Sequence, residues 1–527
     1  MTTPSLSWAH NTERLERLLP FILAALSVAA IVAAIEPFPV GVFQDDGVYT
    51  VLAKSLATGQ GYRYLHLPEA PNATHFPPAY PLFLAALWKL VPSFPANVTL
   101  FKFANAGFIG VSAMLAWRFA RRWLHMGQWT AAISVAAFTA CAPVVLISVM
   151  VMSEPLFLAA LFPVLMACER AAKSGTRRDA LLAGAVGGLL ALIRTLGVVV
   201  IPATALVLAW RRRWLAALLT CLAGAVVMLP WQLWVAAHDA ELPGVFLGKY
   251  GSYAGWLLDG MREGGVKWVV TLAWFNTRLF IGGGWETLSV DTLPIPLRFL
   301  TTFVATGFFV TGWWQMLRRA PVAAMTVATY LSLVIIWPFP PQRFTFAIWP
   351  LLGMHFGLAI ESIVRWRPRT RPRVALRWAV ASLAVLLTAG YARSNYRSAA
   401  RGWWMSIQGY VADRAKPAAE WVSAHTADDA VIATEDDVLM YLYTGRQAIP
   451  IGTFTPQDHM SRQTTAFTVA TLRTILHTYD VDFVIATTPL GALAAQGLLH
   501  DDAPELQFRG TLPLGAIYEP VKKAGTQ

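Results

Sequence analysis

Long apolar runs separated by short polar joints dominate the chain. A bilayer core of about 30 Å accepts about 20 apolar residues as one helix. That spacing predicts eleven spans, at residues 18–36, 98–117, 128–147, 152–170, 180–194, 196–210, 214–236, 297–317, 320–338, 343–364 and 374–392. The fifth and sixth are short and flank Arg194, the pattern of a hairpin that only just reaches the far side. The first span follows basic residues and ends in small ones, as a cleaved leader does. Because further spans follow soon after it, a signal anchor is the better reading.

Three segments are too polar or too long to be mere joints: residues 37–97, 237–296 and 393–527. In the first, Asp45 to Gly59 has helical spacing and Ala79 to Leu90 is apolar but too short to span, so both read as interfacial helices. The last alternates helix-like runs (Ala418–His425, Thr464–Tyr479) with short apolar ones (Ala430–Thr434, Ala448–Ile451, Asp482–Thr487). This alternation predicts a small α/β domain with a mainly parallel sheet. The expected fold class is an α-helical polytopic membrane protein of about eleven spans, with a membrane domain at 1–392 and a soluble α/β domain at 393–527.

Charge supplies the orientation. Basic residues cluster at Arg118, Arg121 and Arg122, at Lys173, Arg177 and Arg178, at Arg211 to Arg213, at Arg318 and Arg319, and at Arg365 to Arg377. With Arg14 and Arg17 in the cytoplasm, eleven crossings place every cluster inside, as the positive-inside rule requires. The three long segments then lie outside. The net charge of +12 thus reports topology rather than nucleic-acid binding. With 56% hydrophobic and 14% charged residues, a soluble reading is excluded. Cys141, Cys168 and Cys221 all lie in apolar runs, which argues against a disulfide framework or a zinc site.

The same topology gathers a few polar residues on the exported face. Asp45 and Asp46 open a predicted helix; one acid suffices to favour a helix N-terminus, leaving the other for general-base work or for a divalent ion. His75 precedes a Pro-Pro-Ala-Tyr-Pro entrance to a helix, with Tyr80 within it, a bracing that needs no ligand. Ser153-Glu154-Pro155 suits a helix start, although a carboxylate so near hydrocarbon also calls for a partner. Arg194 on the exported side runs against the positive-inside trend and either meets an anion or reaches to the interface. Arg343 opposes the dipole of the helix it begins, and a phosphate would account for it. The 22 Trp residues mostly flank spans, as Trp231, Trp234, Trp337 and Trp349 do, and read first as interface anchors. Phosphate-binding loops, dinucleotide fingerprints, zinc-protease pairs and serine elbows are missing from the sequence.

The acidic pair after the first span, the Pro-Pro-x-Tyr-Pro entrance, Ser-Glu-Pro-Leu-Phe, Leu-Ile-Arg-Thr and Gln-Arg-Phe together resemble the GT-C superfamily of membrane glycosyltransferases. The branch of protein O-mannosyltransferases and lipid A aminoarabinose transferases is the most similar. The resemblance covers residues 10 to 390 and, more loosely, the tail around Tyr441-Leu442-Tyr443-Thr444-Gly445-Arg446. It implies transfer of a sugar from a polyprenyl-phosphate lipid to a lipid, glycan or protein acceptor, with inversion at the sugar carbon, in a cell inner membrane. Asp45 matches the family's catalytic acid, Asp46 its neighbour, Glu154 a second acidic position, Arg343 the arginine near the lipid phosphate and Arg194 a second cation. Asp-Asp replaces the Asp-Glu of many relatives, which leaves open which carboxylate is the base. Some members use a divalent ion, for which Asp45 and Asp46 would be the ligands. The rival readings are a lipid or solute transporter and a non-catalytic protein that binds lipid-linked glycan. Charges clustered at one rim, without related halves, speak against transport.

Overall fold

The computed structural model describes residues 6–36, 39–283 and 294–521, so residues 284–293 of the expected exported loop lie outside the described residues. Its membrane part consists of α1 (Leu6–Val32), α4 (Ala96–Arg122), α5 (Gln128–Thr139), α6 (Ala142–Val149), α7 (Glu154–Ser174), α8 (Arg177–Ile193), α9 (Val200–Trp210), α10 (Trp214–His238), α13 (Ile295–Arg319), α14 (Pro321–Ile335), α16 (Trp349–Arg365) and α17 (Arg371–Ala400). Short helices α2 (Asp45–Ala57), α3 (Ala79–Leu90), α11 (Gly244–Tyr250) and α15 (Pro341–Thr345), with the longer α12 (Tyr253–Gly283), fill the connections. Every predicted span falls on one of these helices or on a pair of them. Among the described residues six stretches are long and apolar enough to cross a bilayer, five of them single helices and one the run from α15 through α16, or seven when α5 and α6, bent by 47°, count as one. The chain is an integral membrane protein.

Local sequence explains the joints. Gly175, at φ 66°, ends α7, and the Thr176 side chain accepts the Asp179 amide to start α8. The α8–α10 pair approaches closely because Gly184 and Gly188 present no side chain. A Cβ at Gly184 would lie 2.1 Å from the Thr220 carbonyl oxygen. Across the bundle, the basic clusters meet at one end. Arg213 donates to the Ala172 and Lys173 carbonyls, Lys173 lies over the Trp123 ring, Arg319 donates to Leu124, and Glu361 bridges Arg319 and Arg365.

Three expectations change. The 237–296 segment is no open loop: α12 occupies 31 residues of it, broken at Gly265, where Arg262, Glu263 and Lys267 dilute the apolar signal. Helix α2 is buried along most of its length instead of floating at an interface, because α3 and the tail cover it. The tail sheet has order β2-β1-β3-β5-β4, formed by β1 (Val431–Thr434), β2 (Gln447–Ile449), β3 (Phe483–Ala486), β4 (Leu506–Leu512) and β5 (Gly515–Pro520). Its first three strands are parallel, whereas β5 runs antiparallel to both neighbours, so the sheet is only half parallel.

Around that sheet pack α18 (Trp403–His425), α19 (Asp437–Thr444), α20 (Thr465–Thr478) and α21 (Pro489–Leu499). The tail does not hang free. Val48, Leu52, Tyr64 and Tyr80 of the first long connection share one apolar core with Val438, Tyr441, Ile449 and Val484 of the tail. Polar contacts pin the same seam: Ala448 N–H donates to the His66 carbonyl (2.8 Å), and Lys249 pairs with Asp437 (2.8 Å).

Candidate active site

Where the first connection, the carboxyl end of α8, the region around α15 and the tail converge, they enclose a cavity of about 900 Å³. Asp45, the first residue of α2, lines it and is ion-paired to Arg343. Arg343 is held by its own short helix. Pro340 and Pro341 set the entrance, Gln342 Nε2 donates to Leu279 of α12 (3.1 Å), and Tyr330 donates to the Phe344 carbonyl (2.8 Å). Arg343 falls in the last turn of α15 and does not begin the long helix, so the expected clash with a helix dipole does not arise; its anionic partner is Asp45.

A second charged pair lies beside the first. Arg194 sits in extended backbone (φ −152°, ψ 127°) between α8 and a single 3₁₀ turn, which turns its side chain off the helix. It pairs with Glu154 at 3.0 Å and donates to Ser153 Oγ (3.3 Å), which in turn bonds the Tyr49 hydroxyl (3.0 Å). Arg194 and Tyr49 line the cavity; Glu154 is fully buried behind them.

Adjacent in sequence, Asp45 and Asp46 point to different surroundings. Asp46 is 1% exposed, and its oxygens accept the backbone amides of Gly41 (2.9 Å), Val42 (3.3 Å) and Phe43 (2.9 Å). Burial pushes its carboxyl above the usual carboxylate range, against the lowering pull of the Gly41 and Phe43 amides. That geometry shapes the turn before α2, in which Gly41 (φ 99°) presses against Leu439 of α19. The two carboxylates thus do not converge as a divalent-ion site would need, and no group of three or more metal-ligating side chains exists among the described residues.

His75 lines the cavity, whereas Tyr80 lies behind it, donating to Asn105 (3.2 Å) and meeting Tyr49 edge-on. Helix α3 itself contributes nothing to the lining. Trp337 and Trp349, expected at the lipid interface, are 6% and 7% exposed; Trp337 lines the cavity with Tyr253 and Trp256, and Trp349 lies in the bundle interior. Trp231 and Trp234 also turn inward, Trp231 against Tyr62 and Trp234 to the Ala73 carbonyl (2.9 Å). Their position next to spans is common to anchors and to site residues, so the sequence carried no signal to separate the two.

The outer wall was likewise invisible in the sequence. It is the tail segment Gly452 to Gln463, together with Thr488 and Leu490. Asp458 organises that segment by accepting the Thr455 amide (2.7 Å), the Thr455 hydroxyl (2.7 Å) and Gln463 Nε2 (2.6 Å). Phe454 stacks on Phe339 (4.8 Å, 8°), and His459 bonds Asn276 of α12 (2.6 Å).

No family model and no curated protein matches the chain. Solved structures do. ArnT from Cupriavidus metallidurans bound to undecaprenyl phosphate superposes over 96% of this chain and 99% of its own, with a TM-score of 0.54 at 15% identity. ArnT from the same organism in the apo state gives 95%, 97%, 0.52 and 15%. The chain has the GT-C fold. The likeness runs through membrane helices and tail alike, so the docked α/β tail belongs to this version of the GT-C fold.

Proposed function

We propose that this chain is an inverting glycosyltransferase that moves a sugar from a polyprenyl-phosphate lipid to an acceptor hydroxyl on the exported face of the membrane. The observation that carries the reading is the Asp45–Arg343 pair lining the cavity, with Arg194 beside it. The neighbour's bound undecaprenyl phosphate supports a lipid of that class. In this reading the basic end of the bundle and the amino terminus face the cytoplasm, and residues 393–527 form the exported domain.

The chemistry follows from the two pairs. An arriving lipid phosphate competes with Asp45 for Arg343, which leaves Asp45 free to take the proton of the acceptor hydroxyl. The hydroxyl oxygen attacks the anomeric carbon as the carbon–oxygen bond to phosphate breaks on the opposite side. Arg343 and Arg194 stabilise the charge that grows on the leaving phosphate. Glu154 holds Arg194 in place, and Asp46 holds the turn that presents Asp45. A carboxylate whose proton acceptance matters this directly contributes about 10²- to 10⁴-fold in rate.

Purified protein offered a panel of polyprenyl-phosphate sugars is expected to release polyprenyl phosphate from at least one. Asp45→Asn is expected to lower that release by the factor above while leaving thermal unfolding unchanged. Release that is absent with every donor, or undiminished in Asp45→Asn, overturns the reading.

A further inference from the structure

His75 has a role that neither charged pair explains. Its Nδ1 lies 2.5 Å from the Gly251 carbonyl oxygen. A carbonyl only accepts, so the proton sits on Nδ1 and the Nε2 lone pair is left as an acceptor. The only hydrogen bond of the ring among the described residues is the one through Nδ1, so Nε2 is unpartnered, in a residue that is 5% exposed and lines the cavity. Burial lowers the imidazole pKa to about 4, so the ring stays neutral and keeps that lone pair at physiological pH.

The surroundings describe the ligand. Phe76, Tyr253 and Trp256 place their rings 4.5, 4.0 and 4.8 Å from the imidazole, and Trp337 packs against Tyr253 at 5.1 Å. A cavity region lined by aromatic rings, with one unpartnered acceptor among them, suits a body with apolar C–H faces and a hydroxyl on its edge. Phosphate is a poor match, since an acceptor repels its oxygens.

We propose that His75 Nε2 accepts one ring hydroxyl of the donor's sugar, and that the His75–Tyr253–Trp256–Trp337 pocket is the sugar subsite, selecting a sugar that carries a hydroxyl at that position. This inference rests on the transferase reading above. His75 is a specificity residue in it, since no proton is moved.

The test uses the full-length protein, the best polyprenyl-phosphate sugar from the panel and its monodeoxy analogues, with kcat/KM read for wild type, His75→Leu and His75→Gln. In wild type one deoxy analogue is expected to lose about ten- to a hundredfold, the effect of leaving a buried acceptor unpaired. In His75→Leu that same analogue should be used as well as the parent sugar, while the other deoxy analogues keep their wild-type ratios. His75→Gln, whose amide oxygen can accept, should restore part of the discrimination. Each ratio is taken within one preparation, so partial misfolding of a variant cancels. Discrimination that persists undiminished at every hydroxyl in His75→Leu overturns the inference and leaves the transferase reading intact. No turnover with any parent sugar overturns both.

Discussion

At the scale of single residues, two neighbouring aspartates have different surroundings: Asp45 lines the cavity, and Asp46 is buried beneath backbone amides. Asp46→Ala removes the acceptor for the Gly41, Val42 and Phe43 amides, and a buried amide left without a partner costs about 1–3 kcal/mol. Thermal unfolding in detergent is expected to drop by several degrees in Asp46→Ala and by less in Asp46→Asn, which keeps one acceptor oxygen. Asp45→Asn, at the cavity surface, should leave the melting temperature where it was. The acids and arginines were legible in the sequence because a charge in an apolar chain demands a reason. Which aspartate faces the cavity was not legible, since consecutive residues on a helix start point about 100° apart and only the fold says which direction is inward. Tyr49, Tyr253 and Trp256 escaped notice for a different reason: aromatic residues are abundant here and carry no charge to single them out.

Elements were legible where the apolar period was unbroken. All eleven predicted spans fall on helices, and the short α8–α9 hairpin around Arg194 is present. Helix α12 was missed because charges and Gly265 interrupt it, and the β4–β5 hairpin because Phe508 and Leu514 sit among Arg509, Gly510 and Pro513 in a stretch with no clear alternation. Glycine spacing in α8 gives this scale its prediction. Gly184→Leu forces α8 away from the Thr220 carbonyl of α10, a displacement expected to destabilise by about 1–3 kcal/mol or more and to cut the yield of monodisperse protein sharply. Leu182→Ala, on the exposed side of the same helix, is the matched control and should behave as wild type.

For the whole molecule, the decisive fact is that tail and first connection share a core. His66 lies in that seam, bonded through Nε2 to Tyr250 (2.9 Å), which donates to Asp437 (2.5 Å), while Lys249 takes the other Asp437 oxygen. Burial lowers the His66 pKa from its unfolded value near 6.5 to about 4. A folded-state pKa below the unfolded one means stability that is complete above pH 6.5 and is lost as pH falls toward 4, on the order of a few kcal/mol. The melting temperature should therefore fall between pH 7 and pH 5, and His66→Gln should flatten part of that fall; an unchanged slope would remove His66 from the seam's energetics. His75, with the same depression, contributes to the remainder. The sequence indicated a separate soluble domain, because composition changes near residue 393, but composition says nothing of docking.

The segment Gly452 to Gln463 closes the cavity, and it leaves the ribosome after every membrane helix. A nascent chain therefore holds Asp45, Arg194 and Arg343 well before it holds the tail wall of the cavity. On the transferase reading, a chain halted before Gly452 would carry both charged pairs without the tail wall of the cavity, leaving its donor site open to solvent.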